Sequence, residues 1–159
     1  MKALVTGGSG FIGGRIVRNL LERGWEVHVL GRSTPPPQEG VRFHKTDLGH
    51  QPPPPEACDG ADALFHVAAK AGVWGSAASY RSANVLATRR ALDACRKHGI
   101  PHLIHTSSPS VVFNRQHFRG ANESLPYGRD WLCHYARTKA QAEKEVLAAN
   151  DWDGLKTIS

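Results

Sequence analysis

Apolar positions along this chain come in short runs that switch between two spacings. Residues 2–6 form a brief apolar run ending at Thr6-Gly7-Gly8, and beyond it Ile12, Ile16 and Leu20, with Val17 and Leu21 beside them, recur at helical spacing. The pattern predicts a strand, a glycine-rich turn and a helix that Gly24 closes. Residues 26–30 (Glu-Val-His-Val-Leu) alternate as a second strand before Gly31-Arg32-Ser33, which completes a βαβ unit. The proline runs at 35–37 and 52–55 lack backbone donors, stay out of helix interiors and central strands, and bracket a third strand at 41–46. Residues 63–68 read as a buried fourth strand, 78–98 as a long helix stopped by Gly99, and 102–107 as a fifth strand. Residues 114–131 are polar and aperiodic, hence a long loop expected near the site it serves. A helix over 134–149, a turn at 151–154 and the opening of a sixth strand at 155–159 complete the chain. Strands and helices alternate, which predicts an α/β fold with a doubly wound parallel sheet and helices on both faces.

Composition narrows the picture. A chain of 159 residues fits one domain, and 40% hydrophobic with 21% charged residues excludes intrinsic disorder. The chain stops within the first residues of a buried strand, so the expectation is one incomplete domain over 1–159, the N-terminal fragment of a longer protein. A net charge of +6 suits an anionic partner, a nucleotide cofactor as well as a nucleic acid. The basic residues Arg89, Arg90, Arg96 and Lys97 carry no aromatic-basic nucleic-acid motif and read as a solvated helix face, so no nucleic-acid partner is expected. Cys58, Cys95 and Cys133 are odd in number and widely spaced, which excludes a disulfide framework and points to a reducing cytoplasm. The first apolar stretch is too short for a signal peptide or a membrane span, and none is expected. Nine histidines raise a metal site, yet no H-E-x-x-H is present, Cys95 and His98 lack further ligands, and His102 and His105 fall on opposite faces of a strand. No metal is expected.

Candidate chemistry begins at the glycine turn. Gly7, Gly10 and Gly13 follow a strand and open a helix, the arrangement in which the first permits a tight turn, the second admits a pyrophosphate and the third lets helix and sheet pack closely. Phe11 and Ile12, in the same run, are further candidates for contact with the cofactor. The fold expected is therefore a Rossmann-type dinucleotide-binding domain. About twenty residues on, where an acidic residue would hold a ribose 2′-hydroxyl, stands Arg32, whose guanidinium suits a 2′-phosphate. NADP(H) is the preferred expectation and NAD(H) the alternative.

Tyr135 and Lys139 lie one turn apart on one helical face, so that positive charge can stabilise a tyrosinate acting as general acid or base. Thr106-Ser107-Ser108 stands at the carboxyl end of the fifth strand, where such folds bind ligands and where a hydroxyl can meet a developing oxyanion. Trp74, after the fourth strand, faces a cofactor or apolar substrate, or else packs within its own loop.

Together, Thr6-Gly-Gly-Ser-Gly-Phe-Ile-Gly13, Asp47-Leu48, His66-Val-Ala-Ala69, Ser107-Ser108 and Tyr135-x-x-x-Lys139 resemble the extended short-chain dehydrogenases/reductases, the NAD-dependent epimerase/dehydratase superfamily. The run Thr106-Ser-Ser-Pro-Ser-Val-Val112 is similar to the 3β-hydroxysteroid dehydrogenase/isomerase group. His66 to Gly75, with Glu123-Ser-Leu-Pro126 and Ala140-x-Ala-Glu143, resembles the 2-alkyl-3-oxoalkanoate reductases of bacterial olefin biosynthesis. The resemblance implies Ser108 as the catalytic serine with Ser107 as fallback, Tyr135 as proton donor, and Lys139 as holder of the nicotinamide ribose. It also implies that Asp47 and Leu48 contact the adenine, that Ala68 and Ala69 let the cofactor pass, and that Asn84 matches a family asparagine. The expected activity is NADPH-dependent reduction of a 2-alkyl-3-oxo acid to the 3-hydroxy acid. Oxidation of a 3β-hydroxysteroid, epimerisation of a nucleotide sugar, and a noncatalytic sensor or inactive fragment are the alternatives. The expected partner is a small carbonyl or hydroxy substrate, and the superfamily habit of pairing through the long helix suggests a homodimer. Family members continue into a C-terminal substrate-binding region.

Overall fold

The alternating and helical runs form the elements they predict, ordered into one parallel sheet. The computed structural model describes residues 1–33, 38–151 and 154–159. Its strands are β1 (Lys2–Thr6), β2 (Glu26–Gly31), β3 (Val41–Lys45), β4 (Ala63–His66), β5 (His102–His105) and β6 (Lys156–Ile158). They lie in the order β3-β2-β1-β4-β5-β6, and every pairing is parallel. The direction of winding reverses beside β1, which opens a crevice at the carboxyl ends of β1 and β4.

Alternation along the strands sorts the core into two layers. Ala3 and Val5 of β1 and Val27 and Val29 of β2 bury against Val17 and Leu20 of α1 (Phe11–Glu22). Leu4, Leu30, Leu64 and Leu103 form the other layer with Leu92 and Cys95 of α4 (Ala87–His98) and Val146 of α5 (His134–Ala148). The doubly wound architecture is thus as expected, with helices on both faces.

Local departures have local causes. The fourth strand ends at His66 rather than at residue 68, because Thr6 Oγ1 accepts the N–H groups of Val67 and Ala68 at 3.0 Å each and draws them out of the ladder. The fifth ends at His105 rather than at residue 107, where Ser108 already opens a short 3₁₀ turn, Pro109–Val112. A one-turn helix, α2 (Pro55–Cys58), begins on the last residue of the second proline run, at a position where the absent N–H is not missed. The long helix expected over 78–98 comprises α3 (Ala77–Tyr80), a π-helical segment Arg81–Leu86, and α4. At this widened turn Thr88 Oγ1 donates to the Asn84 carbonyl at 2.7 Å. Among the described residues no helix joins β2 to β3, so strands and helices do not alternate there. The proline run at 35–37, and residues 152–153 of the turn expected at 151–154, lie outside the described residues.

Candidate active site

The glycine turn meets the steric demands of a close phosphate approach. Gly7 has φ +68°, in the left-handed region, and a Cβ there would lie 2.9 Å from Ala68 Cα. A Cβ on Gly13 would run into the Gly7 carbonyl, and one on Gly10 would meet it at 3.3 Å. Gly8, which the triplet reading passed over, is equally confined, with both Val29 methyl groups 2.8 Å from its would-be Cβ. No side chain caps α1 and no acidic residue occupies its first turn, so its N-terminal end is left to a ligand. Phe11 and Ile12 point their side chains into solvent, 98% and 52% exposed, and offer the site their backbone. The turn therefore fits the pyrophosphate of a dinucleotide.

The other residues expected to contact the cofactor follow the carboxyl ends of β2, β3 and β4. Arg32 is exposed directly after β2. Asp47 accepts from Gly49 N–H at 2.9 Å and lies 3.1 Å from His50 Nδ1, so its carboxylate shapes its own turn. The Leu48 side chain is buried in the core, and its carbonyl accepts from Arg90 Nη1 at 2.8 Å. Ala68 sits against Gly7, while Ala69 is exposed.

On the far side of the crevice a row of polar side chains crosses the ends of three neighbouring strands. Thr6 pairs in register with His66, and His66 with His105. Because Thr6 Oγ1 already accepts two N–H groups, its own proton goes to His66 Nδ1 at 2.9 Å. His66 Nε2–H then donates to Thr88 Oγ1 at 3.0 Å. The His66 and His105 rings stack with centroids 5.4 Å apart. Lys139 ends the row, its Nζ donating to the Thr106 carbonyl at 2.6 Å and lying 3.0 Å from His105 Nε2. Burial pushes His66 down to about 3 and His105 to about 2, each helped by the charge of Lys139. Burial likewise lowers Lys139 to about 8, against the opposing pull of Glu143.

The remaining expected residues lie on α5, beyond the end of β5 and in the π-helical segment. Tyr135 is half-buried, four positions before Lys139 on α5. The Pro109–Val112 turn packs on α5 and is capped by Ser108, whose Oγ accepts from Ser110 N–H and lies 2.9 Å from Ser110 Oγ. Ser107 Oγ is buried with no hydrogen-bond partner among the described residues, so of the two serines Ser108 is the one bound into a polar array. Asn84 ties the site together: its amide bonds both backbone groups of Lys70, and its Nδ2 donates to Thr138 Oγ1 on α5 at 3.0 Å. The loop of residues 114–131 is pinned to the same region by Tyr127, which donates to Glu143, and by Gly128, whose N–H donates to the Val111 carbonyl. Thr6, Thr88, His105 and Thr138 were missed in the sequence. The only signal available was a polar residue at an inward position of a buried strand or helix.

Two surface readings change. The basic helix face is not merely solvated: Arg89 chelates Glu145 of α5 at 2.8 and 2.6 Å, and Arg90 holds the Leu48 carbonyl. Trp74 does not pack into its loop, being 88% exposed, while Tyr80 Oη holds the loop through the Gly72 and Trp74 carbonyls. Of the paired residues considered for a metal, Cys95 is buried in the core and His98 bonds Asp59 at 2.7 Å.

Comparison with known proteins fits this geometry. The model of the 3-beta hydroxysteroid dehydrogenase/isomerase family matches residues 4–158. The chain belongs to that family. Within it, the chain is 48% identical to a 2-alkyl-3-oxoalkanoate reductase of Stenotrophomonas maltophilia, over 95% of its own length and 47% of the relative's. A reductase of the same name from Shewanella oneidensis is 41% identical over 93% of the chain and 39% of that protein. The chain thus spans about half the length of the curated relatives it matches. Among solved structures, MoeE5 in complex with UDP-glucose and NAD superposes with a TM-score of 0.84 at 31% identity, over 99% of this chain and 52% of that one. Thermus thermophilus UDP-glucose 4-epimerase in complex with NAD gives 0.79 at 31% identity, over 99% and 53%. Among the described residues no helix is long and apolar enough to cross a membrane.

Proposed function

We propose that this chain is the dinucleotide-binding and catalytic half of a reductase that converts a 2-alkyl-3-oxo acid to the 3-hydroxy acid with NADPH. The observation that carries the reading is the buried Lys139 ammonium, anchored at the carboxyl end of β5 and one helical turn from Tyr135. A lysine buried there has a use: its charge stabilises the tyrosinate that remains after Tyr135 gives up a proton. When bound, the cofactor supplies the hydride that adds to the ketone carbon. Tyr135 Oη protonates the ketone oxygen, and Ser108 Oγ, oriented by Ser110, donates a hydrogen bond to that oxygen as charge builds on it. Lys139 also holds the nicotinamide ribose.

The glycine turn and the N–H end of α1, with Phe11 and Ile12, receive the pyrophosphate. Asp47 and the backbone of Leu48 meet the adenine, Ala68 and Ala69 leave room beside β4, and Arg32 binds the 2′-phosphate. The substrate class is taken from the names of the two bacterial relatives.

Titrating the chain with NADPH and with NADH, read by energy transfer from its tryptophans to the nicotinamide, tests the cofactor. NADPH binds more tightly, and Arg32→Ala narrows the gap; equal affinities in the unmodified chain remove the argument from Arg32. In a longer version that turns over, Tyr135→Phe abolishes reduction. Undiminished turnover in that variant leaves a noncatalytic dinucleotide binder as the better reading.

A further inference from the structure

The polar row behind the site ends on a contact that the proposed reaction does not itself use. His105 and Lys139 are both buried, 4% and 2% exposed, and Lys139 Nζ lies 3.0 Å from His105 Nε2. The other imidazole nitrogen, Nδ1, has no hydrogen-bond partner among the described residues. An ammonium has donors only, so the imidazole nitrogen facing it must be bare and the ring proton must sit on Nδ1. That choice strands a buried N–H, which is costly, and the offset is the stabilisation of a desolvated ammonium by the bare Nε2.

We infer that His105 is a positioning residue for Lys139, its Nε2 lone pair holding the buried ammonium in one orientation and in its charged form. The Thr106 carbonyl takes a second N–H, which leaves one of the three ammonium donors for a ligand. The inference rests on the reading of Lys139 as the working lysine. The titratable groups around Lys139 are His105 on β5, His66 stacked behind it on β4, and Tyr135 and Glu143 on α5 itself. The π-helical segment contributes the neutral Asn84 through Thr138, and the 3₁₀ turn contributes only hydroxyls. Burial pushes His66 down to about 3 and His105 to about 2 but Lys139 only to about 8, so between about pH 3 and 8 the lysine is charged while His105 is neutral and can accept.

Two measurements on the 159-residue chain test this without cofactor or turnover. The first is the tautomer of His105, read by long-range ¹H–¹⁵N correlation at neutral pH. The proposal requires a protonated Nδ1 and a bare Nε2, and a protonated Nε2 overturns it. The second is the pH titration of the Lys139 Cε resonance in ¹³C-lysine-labelled protein, assigned through Lys139→Arg. In His105→Phe the midpoint falls by about one pH unit, a tenfold weaker hold on the proton, and His105→Gln, whose amide oxygen can accept, recovers most of it. An unchanged midpoint in His105→Phe overturns the proposal. If that variant does not fold, the tautomer in the unmodified chain decides. Failure here leaves the reductase reading standing, because that reading is tested separately by turnover in Tyr135→Phe.

Discussion

At the scale of single residues, the site depends on atoms that are absent as much as on those present. A methyl group at Gly13 collides with the Gly7 carbonyl, whereas at Gly14 it meets only the Gly8 carbonyl at 3.5 Å, an ordinary contact. Gly13→Ala should therefore displace the turn, cost about 1–3 kcal/mol and weaken NADPH binding at least tenfold, roughly 1.4 kcal/mol. Gly14→Ala should fold normally and gain up to about 1 kcal/mol from helix propensity. Urea unfolding and the cofactor titration check both, and equal behaviour of the two variants would count against the steric reading. Thr6 works in the opposite sense, through one hydroxyl that accepts two N–H groups and donates to His66. Thr6→Val leaves those partners unpaired at about 1–3 kcal/mol for each buried group, while Thr6→Ser keeps most of the stability. The glycine turn and the one-turn spacing of Tyr135 and Lys139 were legible because each is a matter of local spacing. Thr6 and His105 were not, since a threonine or histidine within an apolar run carries no mark of its partner.

Side chains join elements at this site as well as backbone. The π-helical segment places Asn84 where its amide spans Lys70, after β4, and Thr138, on α5. Asn84→Ala is expected to free the loop after Lys70 and the first turn of α5 together. Hydrogen exchange should accelerate in both segments while the core strands keep their protection; a rise confined to one segment would show that the clamp does not couple them. The ends of β4 and β5 make the same point about legibility. Their alternation was readable, yet both stop early because Thr6 intercepts the N–H groups of Val67 and Ala68, and Ser108 opens a turn beyond β5. Periodicity marks where a strand can run, and competing side chains set where it stops.

At the scale of the whole molecule, burying two neutral imidazoles makes stability depend on pH. His66 and His105 titrate near 3 and 2 in the folded chain but near the ordinary 6.5 when unfolded. Between those limits the unfolded chain binds protons that the folded chain refuses, so the stability that these two neutral imidazoles contribute is complete above pH 6.5 and is lost as pH falls. Urea midpoints should already decline between pH 6.5 and 5, before the lowered carboxyls of Glu26 and Glu145 titrate and add to the loss. A flat profile over that interval would mean that the histidines become solvated on the native side. The sequence by itself determined the α/β class, the glycine turn before the first helix, the family resemblance and the one-turn spacing of Tyr135 and Lys139. Each of these is a relation between residues near one another in the chain, where backbone period decides who is neighbour to whom. Only the tertiary structure decided that Lys139 is buried against a histidine 34 positions away, and that Thr6 meets His66 across 60. Those contacts follow from strand order and register, which bring the polar ends of β1, β4 and β5 into one row. No local pattern encodes that order, because it is fixed by burying both faces of the sheet at once.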